Sequence, residues 1–207
     1  LDVAQRKLLE NALRDFRLDG VSLPTERKQR FGQVMERLAT VQAKFDENVL
    51  DATNAWSRQV ADESELAGLP ANTVRRARQA AEAGGRPGWL LSLDAPNYQA
   101  VMTHAESEAL RREFYEAWVT RASDQGPHAG QWDNSPLMAE ILALRSEAAN
   151  LVGFSNFAEY SIATKMAHRT GEVLDFLREL ARVSRPAAQR EFAEVEQFAG
   201  RSLEAWD

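Results

Sequence analysis

The chain has 207 residues, of which 44% are hydrophobic and 27% charged, the balance of a folded globular protein with a sizeable core rather than a disordered one. Cysteine is absent, which excludes a disulfide framework and any thiolate zinc site and suits a reducing compartment. The net charge of −6 argues against nucleic acid as the main partner, and no run approaches the roughly 18 apolar residues of a membrane span.

In chain order, residues 3–17 place Leu9, Ala12, Leu13 and Phe16 on one helical face, expected to turn inward, with Gly20 as the stop signal. After Pro24 the apolar residues Phe31, Val34, Met35, Leu38, Val41, Phe45, Val49, Ala52 and Trp56 recur in steps of three and four. That spacing predicts one long helix with a single buried stripe. The period then changes. "WSRQVAD" (56–62) and "GWLLSLD" (88–94) read as two short strands of one ribbon, which must lean on the helices. Between them a short basic helix over 71–83 is closed by Gly84 and Gly85, and its "RRAR" run (75–78) reads as a solvated face.

The remainder reads as helical. Leu110, Phe114, Ala117 and Trp118 mark a helix over about 106–122. Leu137, Ile141, Leu144, Ala148 and Leu151 mark another, stopped at Gly153. Ser155 or Asn156 caps a third, with Phe157, Tyr160 and Ala163 inward. Thr170 caps the last, which carries Leu174, Leu177, Ala181, Phe192, Val195 and Phe198 as its expected core stripe and a kink expected at Pro186. The connection "RASDQGPHAGQWDNSP" (121–136) has turn chemistry, and Trp132 is expected to pack down as its anchor. The fold class expected is mostly α, with long helices and a small two-stranded ribbon.

Chemistry is sparse. The three histidines, His104, His128 and His168, are all more than twenty residues apart, so no His-Glu-x-x-His zinc motif exists. His104 and Glu108 are four apart, but a two-ligand site is weak, and a surface histidine near a helix start is the better reading. His168 is placed at a helix C-terminus, where the dipole favours a partly positive imidazole. There is no Gly-x-Ser-x-Gly elbow and no phosphate-cradling loop. No residue is therefore assigned a catalytic or metal-ligating role, and the substrate-facing residues are not identified.

Four blocks carry a resemblance: "GWLLSLDAPNYQAVM" (88–102), "RASDQGPHAGQWDNS" (121–135), "ILALRSEAANLVGFSNFAEYSIATKMA" (141–167) and "VLDFLRELARVSRPAAQREFAEV" (173–195). Together they resemble the thimet oligopeptidase family of zinc metallopeptidases, and the likeness runs in order through the whole chain. The resemblance implies a two-lobed helical enzyme of the bacterial cytoplasm. A channel between the lobes would admit short, unstructured peptides to a zinc held by a His-Glu-x-x-His helix and a further glutamate. That helix would lie beyond Asp207, so these residues are expected to form one helical segment, 1–207, from the non-catalytic side. Such a segment would be inactive alone and would have the remainder of the same polypeptide as its partner. The start at Leu1 and the stop at "LEAWD" fit that expectation. The alternative is a stand-alone helical binding or adaptor domain without catalytic activity.

Overall fold

The computed structural model describes residues 1–207, which divide into two units: Leu1–Ala43 with Leu137–Val195, and Lys44–Pro136 with Glu196–Asp207. The architecture is mostly α with one small two-stranded sheet, as the sequence predicts, and has eight helices, of which α4 (Ala95–His104) was not expected.

In the first unit, α1 (Val3–Leu18) opens with a capping box in which Asp2 and Gln5 satisfy each other's backbone N–H. It closes at Gly20, whose φ of 73° allows Val21 N–H to reach Phe16 O and Gly20 N–H to reach Arg17 O. This is the paired closure that a left-handed glycine permits. The first part of α2 (Thr25–Ala55) packs Phe31 and Val34 against Ala148, Leu144 and Leu151 of α6 (Ser135–Leu151). Two forked ion pairs flank that seam. Arg30 grips Glu147 at 2.6 and 2.9 Å, and Arg37 grips Glu140 at 2.6 and 3.0 Å. The partner numbers fall by seven as the arginine numbers rise by seven, so the two helices run antiparallel. Each guanidinium hydrogen-bonds its carboxylate and holds it below the usual carboxylate range. Both pairs are exposed and act on register more than on stability.

The short helix α7 (Phe157–Ile162) is capped by Asn156, which accepts from Glu159 N–H, rather than by Ser155, whose hydroxyl donates to the Glu159 carboxylate. Tyr160 donates its hydroxyl to Leu18 O at 3.2 Å and packs edge-on to Phe154. Phe157, Tyr160 and Ala163 are half-buried.

Two expectations fail in this unit. The stripe of α1 does not turn inward, because Leu9, Leu13 and Phe16 are all exposed. The helix α8 (Thr170–Ala199) continues through Pro186 but buries no residue at all. Leu174, Leu177, Phe192, Val195 and Phe198 lie at the spacing of a core stripe and yet face no packed element. A hydrophobic period reports that a face is apolar, not that something covers it.

The second unit is built on β1 (Ser57–Val60) and β2 (Trp89–Ser92), antiparallel with Ser57 opposite Ser92 and Val60 opposite Trp89. Gly88 has a φ of 77°, and a Cβ there would run into the Val60 carbonyl oxygen. Only glycine lets the chain enter β2 at that distance. The ribbon leans on α3 (Ala71–Ala83), whose buried face is Thr73, Ala77 and Ala81, with Val74 packed beside it. Its arginines remain solvated, and Arg78 spans Glu82 and the Trp89 ring.

The core beneath the ribbon joins Trp56, Val60, Leu91, Val101, Leu110 and Phe114. Trp56 meets Phe114 edge-to-face at 4.8 Å. The helix expected over about 106–122 is present as α5 (Glu108–Val119), and a further helix that the periodicity did not show, α4, precedes it. Asp94 caps α4 by accepting from Asn97 N–H, and Ser107 caps α5 by accepting from Leu110 N–H. The helix α4 is short, with a proline in its first turn, so its apolar residues never complete a recognisable period.

Candidate functional site

The structure separates the histidines by element as well as by sequence. His104 ends α4 and Glu108 begins α5, so the pair does not share a helix face. His128 lies in the 121–136 connection against the edge of Trp132, ring centroids 5.5 Å apart. His168 precedes α8 rather than following a helix, and its backbone N–H donates to the Glu172 carboxylate in the first turn. No helix C-terminus lies at His168, since α7 already ends at Ile162. No three histidine, aspartate or glutamate side chains converge to hold a metal ion.

The connection itself is pinned differently from the expectation. Trp132 is only half-buried. The buried anchor is Asn134, 1% exposed, two residues further on. Its Oδ1 accepts from Asn48 Nδ2 at 2.8 Å and its own Nδ2 donates to Phe45 O at 3.1 Å. Its backbone N–H donates to Ala122 O, the carbonyl of a buried residue held at a φ of 51°. Asp133 accepts from the hydroxyl and backbone N–H of Ser135, which depresses its pKa and starts α6. A polar residue at a core-spaced position gives no hydrophobic signal, so neither asparagine was visible from periodicity.

A second polar cluster gathers the last residues of the chain. Arg111 donates to Ala105 O at 2.7 Å, to Trp206 O at 3.1 Å and to Asp207 Oδ1 at 2.8 Å. Arg201 forks onto both oxygens of the same carboxylate at 2.6 and 2.7 Å, and Glu204 N–H adds a bond of 2.9 Å. Trp206 lies beside Tyr115 and beneath the Arg112 guanidinium. The Asp207 carboxylate thus receives donors from Arg111, Arg201 and Glu204, and the cluster ties α5 to the last residues.

The remaining concavity of note is an open groove of about 730 Å³ between the 63–69 turn and α3. It is floored by Leu66, Leu69, Val74 and Trp89 and rimmed by Glu63, Arg75 and Arg78. It contains no nucleophile beside a base.

The model of peptidase family M3 matches residues 101–207. The chain belongs to peptidase family M3. Within this family it is similar to the oligopeptidase A of Salmonella typhimurium and to that of Escherichia coli, each 50% identical over 212 residues and covering all of this chain. The oligopeptidase A of Haemophilus influenzae is 46% identical over 210 residues. The chain spans only 31% of the length of each of these M3 relatives. The family resemblance read from the four sequence blocks is thus confirmed across the whole chain.

Proposed function

We propose that residues 1–207 are the N-terminal, non-catalytic part of a zinc-dependent M3 oligopeptidase that trims short peptides in the bacterial cytoplasm. In this reading they wall one side of the channel through which a peptide reaches the metal. The supporting observation is the 50% identity to two oligopeptidases A over the entire chain, while no constellation for hydrolysis forms within it.

The residues present do not fit a zinc ion. A catalytic zinc takes three protein ligands and leaves a position for water, and here each histidine stands on a different element without an acidic pair at ligand spacing. The metal ligands, and the glutamate that would activate water, belong to sequence outside these residues. What this chain supplies is shape: a ribbon on a helical core, and long helices held in register by Arg30–Glu147 and Arg37–Glu140.

The test uses the whole polypeptide that the gene encodes. It should cleave a short quenched-fluorescence peptide, lose that activity to a strong zinc chelator, and leave folded proteins intact. Residues 1–207 alone should cleave nothing. Hydrolysis that survives the chelator, or hydrolysis by residues 1–207 alone, would overturn the reading.

A further inference from the structure

The outward stripe of α8 is a feature that the chain's own residues leave unexplained. From Val173 to Val183 the helix exposes Leu174, Phe176, Leu177 and Leu180 on one side; Phe176 is 67% exposed, Leu177 52%, Leu180 53% and Val183 60%. Ser184, Ala187 and Ala188 extend the same side with small residues that permit close approach by a second helix. Scattered apolar residues on a surface are ordinary, but a continuous apolar strip along four turns of helix marks an interface.

The opposite side of α8 is polar and paired in part within the helix. Asp175 pairs with Arg178, and Glu179 pairs with Arg182, each three residues apart on the solvent face. The helix is therefore oriented, with a charged side toward water and an apolar side that no element of the 207 residues buries.

We propose that this face, Val173 to Val183 with Ser184 and Ala187 beyond it, is an intramolecular docking site for an apolar helix from the remainder of the M3 polypeptide. The inference rests on the reading of these residues as part of a longer peptidase. Two observations favour that occupant over a second copy of the chain. The family match runs through the whole of α8, so the stripe belongs to the shared M3 domain. The relatives carry more than two thirds of their length outside the matched portion, ample to cover it.

The chain has no cysteine, so single cysteines placed in it report their own surroundings. In the full-length protein, Leu177→Cys and Leu180→Cys should react with a maleimide at least about tenfold more slowly than Gln189→Cys on the polar side, because labelling must await local opening. Rates are read by mass spectrometry on the peptide that carries each cysteine. Hydroxyl-radical footprinting of Phe176 and Leu177 in the unsubstituted protein repeats the measurement in case a variant fails to fold, and low modification is expected. Labelling at Leu177→Cys as fast as at Gln189→Cys, or heavy footprinting, overturns the proposal. Protection that disappears on dilution also overturns it, since a second copy would then be the cover. None of these readouts depends on peptidase activity, so an inactive full-length protein with a protected stripe would reject the functional reading and leave this one standing.

Discussion

Asn48 donates its side-chain amide to the Oδ1 of Asn134 at 2.8 Å, closing a buried polar contact between residues 86 positions apart. The same Asn134 donates onward to Phe45 O, so one amide holds α2 to the start of α6 inside the second unit. Replacing Asn134 would leave the buried Asn48 amide without its acceptor, and an unmet buried group costs more than the bond itself contributes.

Asn134→Ala should therefore destabilise by about 2 kcal/mol or more, and Trp132→Ala by clearly less, because the indole is half in water. His128→Ala should stay within about 0.5 kcal/mol, as for ordinary surface positions. Urea unfolding of the three single variants checks the order. A Trp132→Ala loss exceeding that of Asn134→Ala would restore tryptophan as the anchor.

Gly88→Ala tests the entry to the ribbon. The new Cβ would meet the Val60 carbonyl oxygen at a positive φ, so the β1–β2 pairing must give way. A loss of about 1–3 kcal/mol is expected from the strained backbone alone, with the clash adding to it. Gly85→Ala, also at positive φ but with open space around it, should lose less. Equal unfolding midpoints for the two variants would show that the close approach to Val60 has no energetic weight.

Arg111 is the hub of the last-residue cluster, with its side chain 14% exposed. Arg111→Ala removes the donors to Ala105 O, Trp206 O and Asp207 together, and a loss of about 1.5–3 kcal/mol is expected for bonds made by a charged group. Arg111→Lys should recover little of it, since an ammonium cannot span carbonyls and carboxylate from one planar fork. Full recovery by lysine, measured by thermal unfolding, would reduce the cluster to a simple charge pair.

Acid should loosen the same cluster. The Arg201 fork, then the Glu204 N–H, then Arg111 hold the Asp207 carboxyl far below the usual carboxylate range. A carboxyl whose pKa is lowered by folding stabilises the fold above its unfolded pKa, about 4. That stabilisation is lost as the pH falls toward the folded value. Unfolding midpoints of the native chain and of Asp207→Asn, measured from neutral pH downward, should converge below about pH 4. A constant gap across that range would show that Asp207 ionisation is not linked to folding.

Local signals in the sequence determined the ribbon and every helix except α4. The helix over 71–83 is bounded by Gly84 because a glycine stop is a local backbone preference, and it appears as Ala71–Ala83. The strands at 57–60 and 89–92 follow from a change of period that needs no tertiary knowledge. Family membership was likewise legible, and the M3 family match with 50% identity over the whole chain to an oligopeptidase A bears it out. Tertiary structure alone decided which apolar faces are covered and which polar residues are buried. Leu177 and Val34 carry the same periodic signal, yet one faces outward and the other packs against α6, because burial depends on whether a second surface is present. Asn134 carries no such signal, yet it is buried, because its partners Asn48 and Phe45 are distant in sequence and become neighbours only on folding.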